Sequence, residues 1–231
     1  MTMKTIGLIG GMSWESTVTY YQMINEAVKD TLGGLHSAKI LLYSLNFEEI
    51  EALQSSGQWE KAGEILADIA RKLEQAGADC ILICTNTMHK VADTVRAAVS
   101  VPLLHIAEAT ADALTAGGIS KVALLGTRYT MTEDFYKCKL VERGIEVLIP
   151  EAEDVELINS IIFDELCLGV ISDASRQKML SVIASLEEKG ARGVILGCTE
   201  IGLLISRQDT SLPVFDTTAI HAAAAARFAL A

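Results

Sequence analysis

The sequence predicts an α/β protein of two pseudo-symmetric lobes, each a parallel sheet flanked by helices. Three observations carry this. Short apolar runs alternate with longer segments of helical period, the pattern that right-handed crossovers turn into parallel sheets. Two strand ends, CILICTNTMH at 80–89 and VILGCTE at 194–200, share one design: a buried run passing into small and polar residues. Finally, KTIGLIGGMSW and KVALLGTRYTM, each a strand, a glycine turn and a helix, precede those ends at nearly equal spacing, Gly10 to Thr85 and Gly126 to Cys198. The repeat assigns 1–107 to a first lobe, with a C-terminal helix at 216–231 packing back on it, and 108–215 to a second. It makes Thr85 and Cys198 equivalent positions. Because open α/β sheets bind ligands beyond the carboxyl ends of their strands, the site is expected in the cleft between the lobes.

In chain order, a strand at 4–9 meets the turn Gly10-Gly11-Met12-Ser13 and a helix at 14–31. The glycines read G-x-x-G-G rather than the G-x-G-x-x-G dinucleotide pattern, so the turn suits a small anion at a helix N-terminus. A strand at 39–45 and a short helix at 47–54 follow. Ala62, Ile65, Leu66, Ile69, Ala70 and Leu73 then recur at helical period over 58–75. Next come a strand at 80–84, a helix at 88–99, a strand at 101–106 entered through Pro102, and a helix at 107–116 closed by Gly117-Gly118. The second lobe has strands at 121–125, 145–149, 193–197 and 212–215 and helices at 155–169 and 174–189, and the chain ends in an Ala-rich helix at 219–229.

With 231 residues and 50% apolar content, the chain can bury one large core or two modest ones. A net charge of −11 and a pI near 4.8 argue against nucleic acid or an anionic membrane as partner. The five cysteines, Cys80, Cys84, Cys138, Cys167 and Cys198, are odd in number and include no C-x-x-C, which predicts a reduced, cytoplasmic setting. Cys80, Cys84 and His89 lack zinc spacing, so no metal site is expected, and Cys84 should face the core while its neighbour Thr85 points the other way. No secretory pattern or membrane span is read; the tail HAAAAARFALA is short and carries Arg227.

Equivalent polar groups at two strand ends suit a reaction that removes a proton from one face of a carbon and returns one to the other. A thiol serves because its pKa responds to helix N-termini and nearby charge. Asn86, Thr87 and Thr199 offer donors to a developing carboxylate charge. Other readings of these residues are open: Thr85, Asn86 and Thr87 as caps of the next helix, and Glu200 as a helix-terminal charge, a partner of a substrate ammonium or a partner of Cys198. Arg128 and Lys90 are candidates to hold a substrate side-chain carboxylate.

Taken together and in order, GLIGGMSW, CTNTMHK, LLGTRYTM and LGCTEIGLL resemble the aspartate/glutamate racemase family across nearly the whole chain. The resemblance implies two lobes with an active site between them and two-base racemisation of a small amino acid. It implies no pyridoxal phosphate or other cofactor, no metal, and a homodimer. By position it implies Cys198 as the second catalytic Cys, with Asn86, Thr87 and Thr199 holding the substrate and Met12 and Gln54 as further pocket positions; Glu200, beside Cys198, joins them as a candidate substrate-binding residue. The family usually carries its first Cys where this chain has Thr85. A hydroxyl is a far poorer base than a thiolate, so an enzyme biased towards L-aspartate or L-glutamate is expected, with His89 a candidate to assist Thr85. The lone Cys198 also keeps open a one-thiol decarboxylase or cis–trans isomerase of small dicarboxylates, and a non-catalytic amino-acid-binding protein.

Overall fold

In the computed structural model, residues 2–231 are described. Chain contacts divide them into two units, Met1–Ile106 with His221–Ala231, and Ala107–Ile220.

The first unit is built on β1 (Thr5–Gly10), whose residues after Thr5 are apolar or glycine and buried, as a central parallel strand requires. Then come α1 (Trp14–Leu32), β2 (Lys39–Ser44), α2 (Phe47–Ser55), α3 (Trp59–Gln75) and β3 (Cys80–Ile83). The sheet is parallel, in the order β2-β1-β3. Alternation along the strands sorts its two faces. Ile6, Leu8, Cys80, Leu82 and Cys84 pack with Tyr20 and Ile24 of α1 and with Ala222, Ala225 and Ala229 near the C-terminus. Ile9, Ile81 and Ile83 pack on the other side with Leu66, Ile69 and Leu73 of α3. The tail is also tied by the Lys4 N–H, which donates to the Ala229 carbonyl at 3.0 Å.

Two expected elements differ. The helix expected over 88–99 is a 3₁₀ turn, Thr87–Val91, followed by α4 (Ala92–Ala97). The strand expected at 101–106 meets the sheet only through Leu103 beside Ile81. Pro102 has no N–H to give a ladder; its carbonyl accepts from Ile81 N–H (2.9 Å), Leu104 N–H donates to the Ile81 carbonyl (3.0 Å), and α5 (Ile106–Ala116) starts at once.

The second unit repeats the plan. β4 (Lys121–Gly126) leads through α6 (Arg128–Thr132) and α7 (Asp134–Val141) to β5 (Glu146–Leu148). α8 (Ala152–Ser160), α9 (Asp173–Glu188), β6 (Val194–Gly197) and β7 (Val214–Asp216) follow, and α10 (Thr217–Leu230) belongs from His221 onward to the first unit. Its parallel sheet runs β5-β4-β6-β7. The single helix expected over 155–169 instead breaks after Ser160 into a π turn, Ile161–Glu165, and a 3₁₀ turn, Leu166–Leu168, ended by Gly169 at φ 74°. Buried Ile158, Ile162, Leu166, Met179, Ile183 and Leu186 press on Leu125, Val194 and Leu196 to form this unit's core. Among the described residues, no helix is long and apolar enough to cross a membrane.

Strand registers make the repeat concrete. Ile9 pairs with Ile83 in the first sheet, and Leu125 with Leu196 in the second. Thr85 and Cys198 each follow two residues beyond those pairs. The edge contact repeats as well: Val194 N–H donates to the Pro213 carbonyl at 2.9 Å, as Ile81 does to Pro102.

Candidate active site

The first group of candidate residues lies where β1 and β3 end. Gly11 has φ 87°, and a Cβ there would lie 2.3 Å from the Leu45 carbonyl oxygen, so only glycine fits the turn. Its N–H donates to Thr17 Oγ1 (2.8 Å), whose hydroxyl donates to the Ser13 carbonyl (2.7 Å), while Ser13 caps α1. Met12 is buried among Ile50, Leu53 and Met88, and Gln54 Nε2 reaches Met88 Sδ at 3.0 Å. At the end of β3, Thr85 is half-buried while Asn86 and Thr87 are buried. Asn86 stands at the cap position of the 3₁₀ turn, yet its side chain makes no capping bond, so capping does not account for its presence.

Cys84 packs against the α1 side of the sheet with Tyr20 and Ile24. Full burial raises its pKa, and burial pushes Cys80 up to about 12, so neither supplies a thiolate near neutral pH. Among the described residues no group of His, Cys, Asp or Glu side chains could hold a metal ion.

His89 contacts Thr85, but through the backbone. Its Nδ1–H donates to the Thr85 carbonyl (2.8 Å) and its Nε2 accepts from Ile106 N–H (3.2 Å), so both ring nitrogens are occupied. Burial, and then His105 and His221, hold its pKa well below the ordinary value. The ring stacks edge-on to His105 (centroids 4.5 Å) and to His221 (5.9 Å). His221 donates from Nε2 to the Leu104 carbonyl (2.7 Å) and accepts at Nδ1 from Tyr20 Oη (2.9 Å). His89 thus fixes the Thr85 backbone and leaves the hydroxyl without imidazole assistance.

The second group of candidate residues lies where β4 and β6 end. Gly126 pairs with Gly197, and a Cβ on either would meet backbone oxygen at 2.7 Å, which explains glycine at both. Directly beyond are Thr127 and Cys198. Cys198 is 7% exposed; its Sγ–H donates to Glu200 Oε2 at 2.8 Å, and Thr199 Oγ1–H donates to the same oxygen at 2.9 Å. Burial, then Glu200 and Cys167, drive the Cys198 pKa well above its ordinary value. Cys167, on the broken segment after α8, packs against the core that holds Cys198, although its place in the sequence is far from any strand end.

The two expected carboxylate-holding cations are engaged elsewhere. Arg128 forms a two-pronged bond with Glu156, Nε to Oε1 at 2.6 Å and Nη2 to Oε2 at 2.5 Å, and Lys90 Nζ sits 4.0 Å from the centre of the Trp59 ring. Sequence reasoning passed over Thr127, buried and capping α6. Its signal was available: Gly126 is the counterpart of Gly10, so the next residue stands beside Cys198. His105 and His221 gave no such signal, since only the fold brings them to His89.

Fold and site together define a class: duplicated parallel α/β units with a hydroxyl and a thiol at equivalent strand ends. The Asp/Glu/Hydantoin racemase family model matches residues 9–225, and the chain belongs to that family. The chain is 58% identical to an assigned Asp/Glu racemase from Yersinia pestis, whose structure it matches with a TM-score of 0.92 over 99% of this chain and 100% of that one. An aspartate racemase homologue from Pyrococcus horikoshii OT3 is 39% identical, with a TM-score of 0.86 over 99% and 100% of the two chains. The broad specificity amino-acid racemase of Bacillus subtilis (strain 168) is 26% identical over 67% of this chain and 66% of that protein. The chain thus spans 66% of the length of the first curated relatives it matches.

Proposed function

We propose that the protein is a cofactor-independent racemase of amino acids, aspartate and glutamate first among them, that moves the α-proton without metal or pyridoxal phosphate. The observation that carries this reading is Cys198, a buried thiol hydrogen-bonded to a carboxylate at the strand end equivalent to Thr85. Cys198 takes the α-proton of the L-enantiomer, and the Thr85 hydroxyl delivers one to the other face. Met12, Gln54, Asn86, Thr87 and Thr199 hold the substrate, their donors stabilising charge that develops on its carboxylate. The family membership supports the reaction class, and the broad specificity relative supports testing amino acids beyond aspartate and glutamate.

The asymmetry of the bases gives the reading its particular form. Thr85 removes a proton from the D-enantiomer slowly, whereas Cys198 can remove and return one on the L side many times per inversion. Because the equilibrium constant between enantiomers is one, kcat/KM for complete racemisation is equal in both directions, and the bias shows in α-proton exchange. The test is deuterium wash-in followed by NMR, on each enantiomer of a panel of amino acids separately. Fast exchange on an L-amino acid with slower inversion is expected. Equal wash-in for L and D removes the bias; release of carbon dioxide or double-bond isomerisation of a dicarboxylate, without exchange, replaces the racemase reading with the one-thiol alternatives. Binding without any turnover leaves an amino-acid-binding protein.

A further inference from the structure

A base made from Cys198 must lose its own proton before it can take one from a substrate. The thiol is buried and donates to Glu200 Oε2 at 2.8 Å, an oxygen that also accepts from Thr199 Oγ1 at 2.9 Å. Glu200 itself is 2% exposed. Were the thiol proton lost to water, two anions would lie in contact in a dry site, and such like-charge pairs do not both ionise readily. Transfer from sulfur to Glu200 leaves the total charge unchanged.

We propose that Cys198 and Glu200 work as one thiol–carboxylate pair sharing a single proton, with Glu200 the positioning residue that receives this proton when the thiolate forms. This rests on the racemase reading and assigns Glu200 a task on the enzyme's own thiol. The S–H bond of Cys198 breaks as an O–H bond forms on Glu200 Oε2. The thiolate then takes the α-proton: a C–H bond breaks, an S–H bond forms, and the electron pair remains on the α-carbon, delocalised into the substrate carboxylate. Thr199 keeps the acceptor oxygen aimed at sulfur. The other titratable group facing the thiol is Cys167, whose negative form would likewise oppose the thiolate.

The pair answers to two measurements that a structural role would not move together. The first is the pH dependence of Cys198 alkylation by iodoacetamide, read on its own peptide by mass spectrometry. The second is the split between kcat and KM for exchange on the L-enantiomer. Glu200→Gln removes the neighbouring anion, so alkylation of Cys198 should set in at lower pH than in the unmodified protein. It also removes the proton acceptor, so kcat should fall by roughly 10²–10⁴-fold, the range of a well-placed acid/base group. A more acidic thiol in a slower enzyme is the signature. Glu200→Asp retains a carboxylate and should keep the alkylation onset near that of the unmodified protein, which leaves a measurement in hand should Glu200→Gln not fold. An unshifted onset in Glu200→Gln, or a rise in KM with kcat intact, overturns the pair and assigns Glu200 to the substrate ammonium. The alkylation readout needs no turnover. A shifted onset in a protein that exchanges no amino acid would therefore sustain the pair while the racemase reading fails.

Discussion

The two strand ends share register and differ in what supports them. At Thr85 the support is neutral: His89 grips the backbone carbonyl, and its ring rests on His105 and His221, with Tyr20 and the Leu104 carbonyl completing the stack. At Cys198 the support is a carboxylate bonded to the reactive atom itself. A neutral buried network fixes geometry but supplies no proton acceptor, whereas a buried anion beside a thiol supplies one and raises the cost of a second charge. Duplication has thus left two ends of one shape, with capacity to move protons concentrated in the second.

The hardest test of that contrast is removal of the thiol. Cys198→Ser should lower exchange on the L-enantiomer by roughly 10²–10⁴-fold, because a hydroxyl at that site would not ionise where even a thiol is held protonated. Thr85→Ala should abolish inversion but leave much of the L exchange. Wash-in rates of both variants, measured side by side, decide it. Equal losses on the L-enantiomer in the two would mean that the ends are functionally alike.

Next in size is the acid sensitivity of the neutral network. Burial lowers the His221 pKa from 6.5 to about 4. The unfolded chain therefore binds this proton first as the pH falls. Stability should drop from about pH 6.5 downward, the loss reaching on the order of 3 kcal/mol near pH 4 and levelling off below. His89, lowered in the same sense, adds to the slope. Urea midpoints between pH 7 and 4 measure this. His221→Gln should be less stable at pH 7, with Tyr20 and the Leu104 carbonyl imperfectly paired, but should lose less on acidification. An identical pH slope in that variant would show that other groups carry the acid response.

A smaller effect is expected from making the ends alike. Thr85→Cys places a thiol where the unmodified chain has a hydroxyl, without Glu200's counterpart beside it. Net inversion should rise by about tenfold, well short of a full acid/base contribution, and exchange on the D-enantiomer should become measurable. A gain as large as the loss in Cys198→Ser would mean that the carboxylate matters little to the thiol.

Much of this was legible in the sequence because the central strands are buried on both faces and so read as continuous apolar runs between helical periods. The same parity that puts Cys84 in the core and Thr85 outside it follows from alternation alone. What escaped depended on contacts made at distance. Nothing local marks the break after Ser160, and Pro102 alone warned that 101–106 would not form a ladder. His105 and His221 meet His89 only after β3 and the C-terminal helix are in place. Arg128 finds Glu156 across the start of α8, and no pattern in LLGTRYTM announces that partner.

That ion pair gives the smallest expected effect. Arg128 and Glu156 are about half exposed, at 48% and 55% of their side chains, so solvent screening limits their attraction despite good two-pronged geometry. Arg128→Ala should cost no more than about 1 kcal/mol, read from urea midpoints. If the guanidinium stays with Glu156 during turnover, KM should change by less than about twofold for aspartate and alanine alike, since a lost substrate contact would cost more than the ~0.4 kcal/mol this represents. Lys90→Met should behave in the same way, because the Trp59 ring that Lys90 Nζ covers can pack on an apolar methionine instead. The contrast between acidic and neutral substrates gives the test its edge. A rise in KM confined to aspartate and glutamate in Arg128→Ala would mean that the guanidinium leaves Glu156 to meet the substrate. In that case Glu156→Gln, which frees the arginine, should lower the same KM.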